Sequence, residues 1–195
     1  MSKFEIQVLE SAEHSAHRFQ SIDYQGSVWD LSHLDTFAFK CDIGVSCPVT
    51  VVVMFSCHCF SRGIASDKRV RAQIPNAEIF DDGREQRVLD PARYVLSKLL
   101  LRDVVMTLAN RPIVVADERR PNFVTMQETN ADGTTSLYAV FFEVEKDRTR
   151  RQRLILRIQS AYVLEQELTK RQRQAKRVAL KTLLRATYEG RRIRA

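Results

Sequence analysis

The sequence has few glycines and lacks the common catalytic motifs, and both shortages exclude classes of enzyme. Only six of its 195 residues are glycine, which leaves little material for the loops that cradle phosphates in nucleotide-binding enzymes. It contains no Gly-x-Ser-x-Gly, His-Glu-x-x-His or Gly-x-Gly-x-x-Gly motif. The sequence therefore argues against an ATP- or NAD-dependent enzyme, and we expect no cofactor.

Long apolar runs are also missing. No stretch of eighteen or more apolar residues occurs, so we expect no helix that crosses a bilayer. The first residues lack the apolar stretch of a signal peptide. Without an export signal, Cys41, Cys47, Cys57 and Cys59 are expected to be free thiols. These features predict a cytoplasmic protein.

Charge is distributed unevenly along the chain. The net charge of +7 combines 15 Lys and Arg against 20 Asp and Glu in residues 1–145 with 16 against 4 in residues 146–195. A mildly acidic body with a strongly basic end is typical of a scaffold that carries a contact surface for a polyanion. A solvated helix face that keeps the protein soluble is the alternative.

The hydrophobic patterns predict an α+β fold with a mostly antiparallel sheet. The apolar run that starts at Val49 predicts a central strand covered on both faces. Asp90-Pro91 gives an N-cap followed by proline at the first helical position, and the leucine-rich segment after it predicts one buried central helix through Leu108. Residues 137–145 and 153–164 alternate and predict a long hairpin with a charged tip.

The C-terminal segment predicts one basic amphipathic helix from Glu165 to Tyr188. We therefore expect an α+β domain over residues 1–164, with the helix and tail of residues 165–195 packed on it. The basic side chains of the hairpin tip and this helix form the predicted nucleic-acid-binding set: Arg148, Arg150, Arg151, Arg153, Lys170, Arg171, Arg173, Lys176, Arg177, Lys181 and Arg185.

The chemistry of this basic set favours phosphate. Arginine predominates in it, and the guanidinium group suits bidentate phosphate contacts. Aromatic residues are few there, so we expect salt-dependent phosphate binding with little sequence preference. RNA is the favoured partner, and an acidic protein is the alternative. The apolar face of the helix lacks Trp and Phe, so no membrane partner is expected. The oligomeric state is left open.

The segment Phe55-Ser56-Cys57-His58-Cys59-Phe60 concentrates reactive side chains. As a strand it would place Cys57 and Cys59 on one face and His58 on the other, which does not suit a tetrahedral zinc site. We therefore expect buried, inert cysteines and no metal, with a thiol-dependent or zinc protein as a weaker alternative. His58 is the natural candidate for a proton shuttle, and a hydrogen-bonded structural histidine is its alternative role.

A helix followed by four antiparallel strands, ending in Leu154-Ile155-Leu156-Arg157-Ile158-Gln159-Ser160-Ala161-Tyr162, resembles the small barnase-like and RelE-like RNases over residues 90–165. The resemblance implies that Ser160 and Tyr162 contact the scissile phosphate and that Arg153 or Arg157 stabilises its charge. Such enzymes often carry a helical catalytic histidine, which this segment lacks, so His58 would replace it. The implied catalytic set is His58, Arg157, Ser160 and Tyr162.

Four short segments of the chain, residues 29–34, 55–60, 120–124 and 141–145, resemble a family of small bacterial proteins. These proteins come from mobile elements and are labelled stationary-phase growth adaptation protein. This resemblance implies a bacterial accessory factor and no mechanism. The leading hypothesis is an RNA-directed accessory or toxin-like protein that acts as a metal-independent ribonuclease. The alternative is a non-enzymatic binding or regulatory module whose basic end binds nucleic acid or an acidic protein partner.

Overall fold

Segments rich in β-branched and alternating residues form most of the structure, a computed structural model that describes residues 4–9, 19–117, 122–131, 134–165 and 177–193. The strands are β1 Gln7–Leu9, β2 Ile22–Tyr24, β3 Ser27–Trp29, β4 Phe37–Cys41, β5 Val49–Phe55, β6 Ser61–Gly63, β7 Ile79–Asp81, β8 Gln86–Leu89, β9 Ile113–Asp117, β10 Asn122–Ala131, β11 Thr134–Lys146, β12 Arg153–Val163 and β13 Arg177–Val178. The helices are α1 Pro91–Leu96, a π-helical turn Ser97–Leu101, α2 Arg102–Met106 and α3 Leu180–Glu189.

Eight strands form the main sheet, in the order β1-β4-β5-β12-β11-β10-β9-β13. The pairing of β5 with β12 is the one parallel pair among the described strands, and the others are antiparallel. The predicted α+β class with a mostly antiparallel sheet is therefore confirmed. The strand β5 lies inside the sheet between β4 and β12, as its two apolar faces indicated.

The long hairpin of β11 and β12 supplies one face of the core. The alternating residues Tyr138, Val140 and Phe142 of β11 are fully buried, as are Leu154, Leu156 and Ile158 of β12. The register shifts near Phe141, where Ile158 and Ser160 oppose Phe142 and Phe141. This bulge leaves Gln159 without an opposite residue, and it changes the direction of the strand beside the turn that follows β5.

The central helix begins where the sequence predicted. The Asp90 carboxylate accepts a hydrogen bond from the Arg93 backbone N–H at 3.1 Å, which satisfies one of the free donors of the first turn. Leu101, Val104 and Val105 are buried against the sheet. Leu99 was expected in the core but is 65% exposed, because it lies on the opposite side of the helix from buried Ser97 and Leu101.

The C-terminal region differs from the prediction of one continuous helix. Residues 166–176 lie outside the described part of the chain, and Arg177–Val178 form a strand that pairs with β9. The helix α3 occupies only Leu180–Glu189 and ends at Gly190, whose φ of +75° suits glycine. Its buried residues are Leu180, Leu183, Leu184 and Ala186, so it packs on the body as an amphipathic helix.

The segment 61–89 is largely polar in sequence but has its own structure. It forms a three-stranded sheet in the order β6-β8-β7, with short 3₁₀ turns between β6 and β7. Asp67 accepts hydrogen bonds from Arg62 at 2.7 Å and from Arg69, which also bonds Glu78 at 2.8 Å. This network joins the surface turns of the segment, while Ile74, Val88 and Leu89 are buried beneath it. Among the described residues no helix is both long and apolar enough to cross a membrane.

Candidate functional site

The strand β5 stops at Phe55, five residues earlier than predicted, and a 3₁₀ turn over Cys57–Cys59 follows it. The Ser56 hydroxyl accepts a hydrogen bond from the His58 backbone N–H at 3.2 Å and so caps the turn. The expectation that Cys57 and His58 point to opposite faces of a strand is therefore wrong. In the turn, the two side chains approach the same neighbours.

Those neighbours belong to the tight turn between β7 and β8. One Asp82 carboxylate oxygen accepts the backbone N–H groups of Arg84 and Glu85, each at 2.9 Å. Gly83 takes a φ of +81°, which the turn requires. This arrangement presents the second oxygen of Asp82 and the side chain of Glu85 to the turn after β5.

The two turns meet through two side-chain contacts. His58 Nε2 lies 2.6 Å from Glu85 Oε1. The Cys57 thiol donates to Asp82 Oδ2 at 3.6 Å. The ligand atoms of Cys57, His58 and Glu85 all lie within 4.8 Å of one another. Glu85 is a functional candidate that sequence reasoning missed, because nothing local marks its contact with residue 58. Asp81 and Asp82 offer paired carboxylates for a metal in the sequence, but Asp-Asp-Gly is more often an ordinary turn.

A cleft of about 760 Å³ opens beside this junction. It is lined by Phe19, Met54, Ser56, Cys57, His58, Phe80, Asp81, Asp82, Arg84, Glu85 and Arg157. Two members of the predicted catalytic set, His58 and Arg157, therefore line one cleft. Arg157 reaches it because β12 pairs in parallel with β5, with Arg157 opposite Met54.

The other two predicted catalytic residues are not among the residues that line the cleft. The Tyr162 ring stacks on Phe141, with 5.5 Å between ring centroids, and the Arg93 guanidinium carbon lies 4.6 Å from its centroid. Ser160 lies opposite Phe141 beside the bulge. The structure thus joins His58 with Arg157 and separates them from Ser160 and Tyr162.

The cleft carries charges of both signs. Asp81, Asp82 and Glu85 face Arg84, Arg157 and the imidazole of His58. Arg157 is already bound by carboxylates, since its guanidinium lies 3.3 Å from Glu143 and 2.9 Å from Glu145. A phosphate would have to compete with these two carboxylates for Arg157.

The thiol of Cys57 is not an activated nucleophile in this arrangement. Burial raises its pKa to about 12, and the nearby Asp82 carboxylate acts in the same direction. The pKa of Glu85 is lowered, chiefly by its hydrogen bond with His58. Cys59 is fully buried and burial raises its pKa to about 12 as well. Metal-free thiol catalysis is therefore disfavoured at neutral pH.

Part of the predicted nucleic-acid-binding set lies at the other end of β5. Arg148, Arg150 and Arg151 are exposed at the tip of the β11–β12 hairpin, and Arg153 is tied to Asp147 within that tip. Lys181 and Arg185 lie on α3. Arg177 lies in β13, which corrects its predicted place in a helix. Lys170, Arg171, Arg173 and Lys176 lie outside the described residues.

The match to a known family covers the body of the protein. Residues 21–188 fit the model of the YjaZ family. The chain belongs to the YjaZ family. The matched range contains both turns of the cleft, strand β12 and helix α3 as far as Tyr188, so all of the candidate site except Phe19 lies within it. No curated protein and no solved structure matches the chain.

Proposed function

We propose that the protein binds RNA through a basic end formed by the β11–β12 tip and the C-terminal helix. We define the basic end by its described cations: Lys146, Arg148, Arg150, Arg151, Lys181, Arg185, Arg191 and Arg192. The observation that carries the proposal is the meeting of these two basic segments. A Cβ on Gly190 would lie 3.7 Å from Lys146 Nζ, so the end of α3 lies beside the hairpin tip.

The loop between β4 and β5 completes the surface. A Cβ on Gly44 would lie 3.4 Å from Arg185 Nη1, and the Thr50 backbone N–H donates to Gln152 O at 3.2 Å. These contacts bring the loop, the tip and α3 to one end of the sheet. The dense cluster of guanidinium and ammonium groups there suits successive phosphates of a nucleic-acid backbone.

Several of these cations are free to bind a phosphate. Glu189 pairs with Arg185 and Arg191, whereas Arg148, Arg151 and Arg192 are exposed and have no carboxylate partner among the described residues. A phosphate can contact these side chains without breaking an existing ion pair. Together with the resemblance to small bacterial accessory proteins, this surface supports an RNA-directed accessory role.

Binding is expected to depend strongly on salt. In fluorescence anisotropy with labelled single-stranded RNA, replacing Arg148 and Arg151 by alanine should flatten the slope of log Kd against log salt by about 1.4, since each single-strand phosphate contact contributes about 0.7. The matched control is Lys68→Ala with Lys98→Ala, which removes two exposed positive charges elsewhere. This control should leave the slope nearly unchanged.

Two results would overturn the proposal. One is the absence of RNA binding at low salt and micromolar protein. The other is an equal loss in the two double variants, which would mean that only net charge matters. Binding of polyglutamate without binding of RNA, with the same two arginines required, would assign the basic end to an acidic protein partner instead.

Metal-independent RNA cleavage is a second candidate, and the presence of His58 and Arg157 in one cleft favours it. With Glu85 bonded to Nε2, the His58 Nδ1 atom would take the proton of the ribose 2′-hydroxyl. The 2′-oxygen would attack the phosphorus to form a 2′,3′-cyclic phosphate, and the 5′-oxygen would leave with a proton taken from solvent. We expect cleavage in EDTA to fall by about 100-fold or more in His58→Ala. Intact RNA after incubation of the wild-type protein rejects this candidate and leaves RNA binding in place.

A further inference from the structure

The junction of the two turns combines three kinds of metal ligand at one point of the cleft wall. A thiol, an imidazole and a carboxylate come within 4.8 Å of one another at Cys57, His58 and Glu85. A second carboxylate, from Asp82, contacts the thiol at 3.6 Å. The four side chains come from two segments separated by more than twenty residues, so the fold and not the local sequence assembles them.

We propose that Cys57, His58, Asp82 and Glu85 bind one zinc ion, which would fasten the turn after β5 to the turn between β7 and β8. Sulfur, imidazole nitrogen and carboxylate oxygen are the ligands that zinc takes in proteins, and four protein ligands define a closed structural site. This inference does not rest on RNA binding, because the basic end lies at the opposite end of β5, about 20 Å away for a seven-residue strand.

One ligand separation already matches that of a tetrahedral site, and the others require small movements. Asp82 is not part of the group whose ligand atoms lie within 4.8 Å of one another, so its carboxylate would have to move toward His58 and Glu85. Zinc bonds of about 2.3 Å to sulfur and 2.0 Å to oxygen place these two ligands about 3.5 Å apart. The observed separation of Cys57 Sγ and Asp82 Oδ2 is 3.6 Å. His58 Nε2 and Glu85 Oε1, at 2.6 Å, would have to separate to about 3.4 Å. Both side chains are more than one-third exposed, so they have room for this movement.

Buried groups behind the junction hold the ligands in place. Arg87, which is nearly fully buried, donates to Glu85 Oε2 at 3.0 Å and to Ser61 Oγ at 2.9 Å. The Ser61 hydroxyl in turn donates to the Cys57 carbonyl oxygen at 2.6 Å. This chain of hydrogen bonds connects the two turns and leaves Glu85 Oε1 for a metal. Such outer hydrogen bonds orient the ligands in many zinc sites.

The ligand set also selects among metals. Magnesium and calcium prefer oxygen ligands alone, whereas a thiolate with an imidazole favours zinc among the abundant divalent ions. On binding, the Cys57 thiol loses its proton to solvent, the imidazole proton of His58 moves from Nε2 to Nδ1, and the metal takes both places. A His58 ring bound to zinc is no longer a free base, so zinc binding and the metal-free cleavage described above exclude each other.

Metal analysis and titration test this site in the full-length protein. Protein purified without chelator should contain about one zinc per chain, and the cobalt-substituted protein should show a sulfur-to-cobalt charge-transfer band. We expect Cys57→Ser to abolish that band and to lower zinc affinity by about 100-fold, and Glu85→Gln to lower it by about 10-fold. Glu85 is exposed, so its variant tests the site even if Cys57→Ser folds poorly.

Cys47 provides the matched control. It is exposed and lies in the loop between β4 and β5, away from the cluster, so Cys47→Ser should keep both the band and the affinity. No zinc binding at micromolar zinc would overturn the proposal, and so would a charge-transfer band that disappears in Cys47→Ser. Fluorescence anisotropy with labelled RNA, measured on the zinc-loaded and on the EDTA-treated protein, tests RNA binding independently of zinc binding. A failure of the zinc proposal can therefore be told apart from a failure of RNA binding.

Discussion

Replacing Arg93 by methionine is expected to lower the free energy of unfolding by about 3 kcal/mol, because two charge-assisted hydrogen bonds are lost and buried acceptors remain. The Arg93 side chain donates to the carbonyl oxygens of His58 at 3.2 Å and Ser61 at 2.9 Å. It therefore ties the first turn of α1 to the turn after β5 and to the start of β6.

The surroundings of Arg93 make its loss costly. Its guanidinium carbon lies 4.6 Å from the centroid of the Tyr162 ring, and its Nε atom lies 3.7 Å from Asp90. Burial lowers its pKa, although an arginine stays charged at any pH at which the protein folds. Methionine fills much of the same volume but donates no hydrogen bond, so the variant isolates the polar contribution.

Thermal and urea unfolding measure this effect. A loss of about 3 kcal/mol corresponds to a fall in Tm of roughly 6–12 °C for a chain of this size. The control is Arg102→Met, since the Arg102 guanidinium lies 4.7 Å from the Phe37 ring centroid but the residue is exposed. That substitution should cost less than about 0.5 kcal/mol. Equal losses in the two variants would show that Arg93 is no more than a surface stacking residue.

The same variant connects stability with the cleft. Because the bond from Arg93 reaches the backbone of His58, its loss should loosen the turn that carries Cys57 and His58. We expect Arg93→Lys to fall between the wild type and Arg93→Met, since one ammonium group cannot reach both carbonyls and also stack on Tyr162 in the way a planar guanidinium does.

Structural elements that carry strong local sequence signals could be predicted. The period of two in β11 and β12 identified their buried residues, because the hairpin has one face in the core. Asp90-Pro91 located the start of α1, since the capping geometry depends on neighbouring residues alone. The charge asymmetry located the basic tip of the hairpin, which needs no knowledge of tertiary contacts.

Features that depend on distant contacts could not be predicted. Phe55 to Phe60 has the composition of a strand, yet a serine cap and the neighbouring β7–β8 turn stop the strand at Phe55. Glu85 is 27 residues from His58, and nothing near it in sequence indicates their contact. Arg177–Val178 continue a helical pattern, but pairing with the exposed edge of β9 outweighs helix propensity at these two residues.

A pH-dependent loss of stability is expected from His33, which lies in the 3₁₀ turn Ser32–Leu34. Ser97 Oγ donates to the Tyr94 carbonyl oxygen at 2.9 Å, so it accepts from His33 Nε2, 2.8 Å away. We assign the proton to Nε2, so the buried Nδ1 donates no hydrogen bond, although the Asp30 backbone lies close enough to favour the protonated ring. Burial, aided by the charge of Lys98, lowers the pKa of His33 to about 4.

The sign of the effect follows from proton uptake. Between pH 6.5 and 4 the unfolded chain binds a proton at this histidine, whereas the folded protein keeps it neutral. Stability should therefore be complete above pH 6.5 and fall as the pH drops toward 4. The opposing effects of Asp30 and Asp35 are already contained in the lowered pKa of His33. Because the ring is only partly buried, solvent screens the effect, and we expect about 1–2 kcal/mol between pH 7 and pH 4.5.

Urea unfolding of the wild type and of His33→Gln at pH 4.5, 5.5 and 7.0 measures this loss. The glutamine amide can still donate to Ser97 but does not titrate, so the variant should lack the part of the pH-dependent loss that comes from residue 33. Other titrating groups are common to both proteins, and the difference between the two pH profiles therefore reports on His33 alone. Parallel profiles would contradict the assignment of a buried neutral imidazole, and they would mean that the turn opens to water before His33 accepts its proton.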